Sequence, residues 1–193
     1  MHPEWKLLDS RVVVRTPIFT VRADRSVSPA SGYEKEWTIL DADDWVNVIP
    51  VTPEGRIVLI RQYRPGHRSY TIEIPGGAVD SGDRDGAAAA RRELREETGY
   101  EADRFALLGT VEPNPAFQTN RCFSYLATGA RRVGPQEPDP GEEIEVFEAD
   151  EAEVSRMLRD GRITHALVVA AFFWRALRGS PEPGGVDAEA PSA

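Results

Sequence analysis

Three glutamates that stand close together in the sequence have the chemistry and the spacing of a metal site. Glu93, Glu96 and Glu97 lie in one charged stretch. On an α-helix, which turns about 100° per residue, Glu93 and Glu97 lie about 40° apart, and Glu96 lies about 60° to the other side of Glu93. Three carboxylates on one face repel one another unless a cation lies between them. Hard oxygen ligands in this number suit Mg²⁺ or Mn²⁺.

A solvated acidic helix face is the alternative explanation for these residues. Arg91, Arg92 and Arg95 are interleaved with the acids and can form ordinary ion pairs along a helix. That is the usual explanation for three acids on a helix. Two features favour the metal site here. The acids stand at the end of the helix, where like charge opposes the macrodipole, and a glycine turn at Gly76 and Gly77 offers free carbonyl oxygens.

A strand, the glycine turn and a helix must position the acids. Residues 70–74 form an apolar, strand-like run before the turn. Residues 86–98 are predicted to be helical, because four consecutive alanines near their start have strong helix propensity. Asp83 or Asp85 can cap the beginning of this helix, and Gly99 stands where a C-terminal glycine ends one.

At these residues the chain resembles the Nudix hydrolases, whose box is written G-x5-E-x7-R-E-U-x-E-E-x-G-U, with U an apolar residue. The second half matches from Arg92 to Gly99, with Tyr100 in the last apolar place. The first half departs from the pattern. Counting from Gly77 puts Asp83 where the family has Glu, and eight residues rather than seven separate it from Arg92. The resemblance implies structural roles for Gly77, Asp83, Arg92 and Gly99, with Asp83 pairing with Arg92.

The resemblance implies a hydrolase that cleaves a diphosphate with the help of Mg²⁺ or Mn²⁺. Glu93 and Glu97, with Glu96 and the carbonyl of Gly76, are the expected metal ligands, and Glu96 is also a candidate catalytic residue.

A loop acid that precedes an Ile-Glu-Val strand activates the attacking water in ADP-ribose pyrophosphatases. Glu142 is the first candidate for that base in this chain and Glu143 the second. Solvent-exposed charge is the alternative explanation for both residues.

Two arginines and two tryptophans are candidates for substrate binding. Arg64 resembles family arginines that contact the diphosphate, and Arg61 is a second candidate, because a guanidinium can bind two phosphate oxygens. A surface ion pair is the alternative for each arginine. Trp37 and Trp45 can stack on a nucleobase, although a core tryptophan is the commoner explanation.

Pro115 lies fifteen residues beyond Tyr100, close to where the ADP-ribose-cleaving subfamily carries a proline. This resemblance favours a nucleoside diphosphate sugar as the substrate, with ADP-ribose cleaved to AMP and ribose 5-phosphate. Two alternatives stay open. One is a Nudix hydrolase of nucleoside triphosphates or dinucleoside polyphosphates, and the other is a non-catalytic Nudix module that only binds a nucleotide.

The composition of the 193 residues is that of a globular protein, with 40% hydrophobic and 28% charged residues. The formal charge of -9 argues against a nucleic-acid partner. No apolar run approaches the roughly 20 residues of a membrane span, and the first residues do not predict a signal peptide. Cys122 is the single cysteine, which predicts a reducing, cytoplasmic location.

The pattern of elements predicts an α/β protein. By resemblance it is a Nudix-type α/β/α sandwich with a mixed sheet and a small N-terminal antiparallel β piece. We expect residues 1–42 to form that piece and to take part in a homodimer. Residues 43–178 should form the Nudix domain, and residues 179–193 a disordered tail. Residues 131–141 should form an exposed loop.

Two further expectations concern packing. The runs 45–51 and 56–63 predict a hairpin around the turn that ends at Gly55. Residues 164–178 predict an apolar helix that packs on the sheet through the following residues: Ala166, Leu167, Val169, Ala170, Phe173, Trp174 and Leu177.

Overall fold

Two groups of elements make up the part of the chain that the computed structural model describes, residues 4–178. The first group contains the residues up to Asp44 together with Glu112–Arg121. The second contains Trp45–Val111 together with the residues from Cys122 onward. The predicted tail, residues 179–193, lies outside the described residues.

An antiparallel sheet of three strands forms most of the first group. Its strands, in spatial order, are β1 (Lys6–Arg15), β2 (Thr20–Val27) and β3 (Glu34–Asp41). A turn at Gly32, which has a φ of 72°, reverses the chain between β2 and β3. All ten residues of β1 are exposed, and among residues 4–178 this strand pairs only with β2.

A mixed sheet is the centre of the second group. Its elements in chain order are β4 (Trp45–Val51), β5 (Ile57–Arg64), β6 (Ser69–Glu73), β7 (Gly76–Ala78), α1 (Gly86–Thr98), β8 (Tyr100–Glu101), β9 (Arg104–Val111), β10 (Cys122–Thr128), β11 (Arg131–Arg132), β12 (Ile144–Ala149), α2 (Glu151–Arg159) and α3 (Ala166–Arg178). The main strands lie in the order β12-β5-β4-β10-β9, while β6 pairs with β5 and β7 with β4. The β4–β10 pair is parallel and the other pairs are antiparallel, so the sheet is mixed.

Helices cover both faces of this sheet. Successive strand residues point to opposite faces, and Val58 belongs to one core cluster while its neighbours Ile57 and Leu59 belong to the other. The Val58 cluster includes Ala89, Ala90 and Leu94 of α1. The Ile57 cluster includes residues of α2 and α3: Val154, Met157, Val168, Ala171 and Phe172. The predicted α/β/α architecture with a small N-terminal sheet is therefore confirmed.

Two expectations about the strands need correction. The predicted glycine turn is strand β7, in which Gly76 and Gly77 pair with Asn47 and Val46 of β4. The predicted β4–β5 hairpin makes only one register pair, Val51 with Ile57. Beyond that pair the two strands separate, since β7 and β10 take the two edges of β4.

The packing face predicted for the C-terminal helix was wrong. Helix α3 begins at Ala166, and Val169, Phe173 and Leu177 are exposed rather than packed on the sheet. The buried positions are one residue away, at Val168, Ala171 and Phe172. Trp174 was placed correctly, because it packs against the core on this side. No helix within residues 4–178 combines the length and the apolar character needed to cross a membrane.

Helix α3 packs closely against the sheet at Gly109, where the absence of a side chain leaves room for Trp174. A Cβ atom on Gly109 of β9 would lie 2.5 Å from the ring of Trp174. We expect Gly109→Ala to lower the free energy of unfolding by about 1–3 kcal/mol, because the ring must move out of its packed position. Urea unfolding measures this change. Gly66→Ala, where an added Cβ meets nothing within 4 Å, is the control. Equal stability of the two variants would contradict the prediction.

Candidate active site

Helix α1 carries the predicted metal ligands at a fixed rotation relative to the sheet. The side chain of Asp85 accepts from the N–H of Ala88 at 2.8 Å and caps the beginning of the helix. Gly99 ends it in the left-handed conformation, with a φ of 73°. Leu94 is fully buried against the sheet, and this burial fixes the direction in which its neighbour Glu93 and the following-turn residue Glu97 point.

The two carboxylates lie against the glycines of β7. The backbone N–H of Gly76 donates to Oε2 of Glu97 at 2.8 Å. A Cβ on Gly77 would overlap the carboxylate of Glu93, and a Cβ on Gly76 would overlap the backbone of β4. Any larger residue at either position would therefore displace the acids or the strand.

Arg92 joins the acids of the box. Its guanidinium donates to Asp83 through Nε at 3.3 Å and Nη2 at 2.9 Å, and to the carbonyl of Ala78 at 2.9 Å. Its Nη1 donates to Glu93 at 2.8 Å and to Glu96 at 3.1 Å. The shorter acid and the extra loop residue thus still allow the Asp83–Arg92 pair. These bonds hold the pKa of Asp83 below its ordinary value.

Burial makes the two carboxylates hard to ionise. Desolvation raises the pKa of Glu93 to about 7, and the nearby charges of Glu96 and Glu142 add to the effect. Desolvation raises the pKa of Glu97 to about 8, and the charges of Glu93 and Glu142 again add to it. A cation would relieve both costs.

The donor set fits a divalent cation. It consists of hard carboxylate oxygens beside a strand with no side chain in the way, which suits Mg²⁺ or Mn²⁺. Among residues 4–178, no three acidic, histidine or cysteine side chains already surround one point. The carboxylates of Glu93 and Glu96 are instead both bonded to Nη1 of Arg92.

Arg64 lies beside this pair and is held by a buried acid. Its Nε and Nη2 donate to the two oxygens of Glu73 at 2.8 and 2.7 Å. Glu73 is only 2% exposed, and Thr71 donates to it at 2.5 Å. The hydrogen bond to Glu73 raises the pKa of Arg64, and the charges of Glu97 and Glu142 raise it further.

Sequence reasoning missed Glu73. Although burial opposes its ionisation, the hydrogen bonds from Arg64 and Thr71 hold the pKa of Glu73 below its ordinary value. The signal was present, since an acid between Ile72 and Ile74 interrupts an apolar run.

The two candidate bases, Glu142 and Glu143, have different neighbours in the structure. Glu142 is exposed, accepts from the N–H of Asp139 at 3.2 Å, and is close enough to affect the pKa of Glu93 and Glu97. Glu143 accepts from the hydroxyl of Tyr70 at 3.3 Å. The structure therefore brings Glu142, and not Glu143, to the carboxylate pair.

Arg61 lies on the opposite face of β5 from Arg64, because the two residues are three positions apart on a strand. Its guanidinium lies 4.8 Å from the ring centre of Tyr70 and donates to Glu145 at 3.2 Å. With Glu143 and Ile144, these residues line a cavity of about 370 Å³. Arg61 and Arg64 thus do not share one site.

The two tryptophans belong to different groups of elements. Trp37 is part of the N-terminal sheet, where Lys35 Nζ lies 3.9 Å from its ring centre and the ring of Trp5 contacts it edge-on. Trp45 is the half-buried first residue of β4 and pairs in register with Ala78.

Comparison with known proteins identifies the family. The family model described as the NUDIX domain matches residues 43–172. This match covers more than half of the chain, so the chain belongs to the Nudix family. Within that family it is a pyrophosphohydrolase, similar to the ADP-ribose pyrophosphatases.

Two relatives and one solved structure illustrate the similarity. An ADP-ribose pyrophosphatase of Mycobacterium tuberculosis is 27% identical over 86% of this chain and 81% of its own length. A methanol dehydrogenase activator of Bacillus methanolicus is 28% identical over 86% of this chain and 92% of its own length. The crystal structure of an ADP compounds hydrolase has a TM-score of 0.81 over 92% of this chain and 95% of that one. Its 22% identity shows a shared fold alone.

The raised pKa values predict how stability depends on pH without metal. The unfolded chain releases these protons near the ordinary value of 4.5, whereas the folded protein holds them to about 7 on Glu93 and about 8 on Glu97. The folded state therefore binds more protons between these limits, and the contribution of this pair to the free energy of unfolding falls as pH rises from 4.5 to 8.

Glu97→Gln should reduce this pH dependence, because one of the two titrations is removed. In EDTA at pH 8 the variant should unfold at a higher temperature than the native protein, and the difference should shrink at pH 5. Thermal unfolding followed by circular dichroism measures both. Glu101→Gln, which changes an exposed acid of the following strand β8, is the control. A variant that is less stable than the native protein at pH 8 would contradict the assignment.

Proposed function

We propose that this protein is a Mg²⁺- or Mn²⁺-dependent hydrolase of nucleoside diphosphate sugars, which cleaves ADP-ribose to AMP and ribose 5-phosphate. The observation that carries the proposal is the buried pair Glu93 and Glu97, with Arg64 and Glu142 beside it. Relatives named ADP-ribose pyrophosphatase support the choice of substrate.

Glu93 and Glu97, with Glu96 and the carbonyl of Gly76, are the residues that would hold the cation. A bound divalent cation supplies positive charge to the diphosphate oxygens and lowers the pKa of nearby water. Glycine at position 77 leaves the Glu93 carboxylate free to lie against β7, because a Cβ there would overlap it.

Arg64 binds the diphosphate and Glu142 removes the proton. Glu73 holds one edge of the Arg64 guanidinium, and the end that carries Nη1 is turned away from it. A fixed guanidinium suits two phosphate oxygens of one substrate. Glu142 accepts a proton from the attacking water, whose oxygen bonds to one phosphorus while the bridging P–O bond breaks. The released phosphate oxygen takes up the proton that Glu142 accepted, and the second proton of the water stays on the newly bonded oxygen, so atoms and charge balance.

Two remaining candidates, Arg61 and Trp45, are assigned to binding the outer parts of the substrate. Arg61 borders the cavity beside Tyr70, and Trp45 offers an aromatic ring for a nucleobase. Trp37 belongs to the other group of elements, and its role in nucleobase stacking stays a prediction. Glu143 remains the second candidate base. Cys122 as the single cysteine supports a reducing, cytoplasmic location.

A panel of phosphate compounds tests the proposed reaction. The protein with Mg²⁺ or Mn²⁺ should release AMP and ribose 5-phosphate from ADP-ribose, and EDTA should abolish the release. Glu97→Gln should lower kcat at least about 100-fold, because the cation contributes several kcal/mol of charge stabilisation. Glu101→Gln should leave kcat unchanged. Chromatographic separation of the products measures the turnover.

The same panel separates the alternatives. Turnover of dinucleoside polyphosphates or nucleoside triphosphates without turnover of any nucleotide sugar would overturn the substrate assignment. Nucleotide binding without any turnover would indicate a non-catalytic module.

We also propose that the chain forms a homodimer through the N-terminal extension, residues 1–42. Support comes from β1, an edge strand exposed along its whole length. It carries five large apolar side chains that are each at least 40% exposed: Leu7, Leu8, Val12, Val13 and Val14. An unpaired apolar edge strand favours pairing with another chain.

Light scattering coupled to size exclusion tests the dimer. The native protein should show twice the mass of the 21.4 kDa chain. Val13→Arg should shift the mass toward that of one chain, because a charge on the interface is desolvated without a partner. Val133→Arg is the matched control, since both valines are 54% exposed. A single-chain mass for the native protein would contradict the proposal.

A further inference from the structure

The loop that carries Glu142 is hydrogen-bonded to the C-terminal end of helix α1. The last carbonyls of any helix lack partners within the helix. Here the carbonyl of Gly99 accepts from the N–H of Val133 at 2.9 Å, and the carbonyl of Glu96 accepts from the N–H of Glu137 at 2.7 Å. The loop between β11 and β12 therefore satisfies one free carbonyl of α1, that of Glu96, and the carbonyl of its C-cap residue Gly99.

The side chain of Gln136 connects helix α1 to the first residue of β12. Nε2 of Gln136 donates to the carbonyl of Glu97 at 3.1 Å and to the carbonyl of Ile144 at 3.0 Å. Glu97 is half of the buried carboxylate pair, and Ile144, the first residue of β12, follows Glu142 by two positions. A primary amide carries two N–H donors, so one Gln136 side chain can satisfy both carbonyls.

Glu142 depends on the position of the loop, because its own contacts are local. Its side chain accepts from Asp139 within the same loop, and its backbone N–H donates to the carbonyl of Asp139 at 3.0 Å. These bonds fix Glu142 relative to the loop and not relative to α1. Its distance from Glu97 therefore follows from where the loop is attached.

We propose that Gln136 is a positioning residue for the reaction. Its side-chain amide holds the loop of Glu142 at a fixed distance from the helix of Glu93 and Glu97. This inference rests on the proposed function, which makes Glu142 the base. Glutamine suits the position because it is neutral and offers two donors, whereas a glutamate would present acceptor oxygens to two carbonyls.

The first test removes the donors and keeps the length of the side chain. Gln136→Met should lower kcat about tenfold with KM changed less than about twofold, because a small displacement of a catalytic group costs rate more than binding. Gln136→Glu should lower kcat at least as much. Val133→Ala is the control. It truncates an exposed side chain of the same loop and keeps the backbone bond to Gly99, so its kcat should equal that of the native protein.

A double-mutant cycle separates positioning from a general structural effect. In a Glu142→Gln background, Gln136→Met should cost less than about twofold, because the group that it positions is already gone. An equal loss in both backgrounds would overturn the proposal. Thermal unfolding of Gln136→Met should change by no more than about 4 °C, as expected for a lost hydrogen bond in a chain of this size.

Hydrogen exchange tests the attachment without any turnover. The backbone N–H groups of Glu137 and Glu142, which are hydrogen-bonded in the native protein, should exchange faster in Gln136→Met and at the native rate in Val133→Ala. Unchanged exchange in Gln136→Met would overturn the attachment whatever the activity. Faster exchange in a protein whose native form hydrolyses no diphosphate would support the attachment and contradict the proposed function.

Discussion

The site depends on two carboxylates that are buried together. Glu93 and Glu97 lie one helical turn apart. Desolvation opposes the ionisation of both, the charge of Glu142 opposes both, and the charge of Glu93 opposes the ionisation of Glu97. Such a pair persists only where the surrounding structure holds it in place. The alanines and Leu94 of α1 provide this support, because their burial against the sheet prevents the helix from rotating the acids into solvent. A bound cation can then offset the free energy that ionising these two buried carboxylates costs.

Two arginines serve this site in different ways. The bonds of Arg92 go to the loop and the helix of the box itself, and four of its partners are carboxylates: Asp80, Asp83, Glu93 and Glu96. It therefore organises the box. The strongest partner of Arg64 is the buried Glu73. The charges of Glu97 and Glu142, which belong to the candidate site, also raise the pKa of Arg64. This arrangement leaves Arg64 better suited than Arg92 to meet an anionic ligand.

Local signals explain what the sequence predicted well. The helix 86–98 was predicted with its observed bounds, because the alanines, the cap at Asp85 and Gly99 all act within a few residues. The strand β7 was missed, since Gly76 and Gly77 become a strand only by pairing with β4, about thirty residues away. The packing face of α3 could not be read from an almost uniformly apolar helix.

The candidate site shows the same division between local and distant information. The box acids follow from spacing, and the separation of Arg61 from Arg64 could have been read from the two-residue period of a strand. The role of Gln136 leaves no local pattern, because its two acceptors belong to α1 and β12. The partner of Arg64 likewise becomes clear only when β5 and β6 pair.

The Arg64–Glu73 pair also constrains how this protein can evolve. Glu73 has almost no access to water, so its charge is sustained by a single guanidinium and the Thr71 hydroxyl. Exchanging Arg64 alone leaves Glu73 as an isolated buried charge, which is far costlier than a paired one, whereas the Arg64 side chain is 40% exposed and can be solvated without Glu73. Descendants of this chain should therefore keep Arg64 for as long as they keep Glu73. A shift in ligand preference that begins at Arg64 would need two coordinated genetic steps.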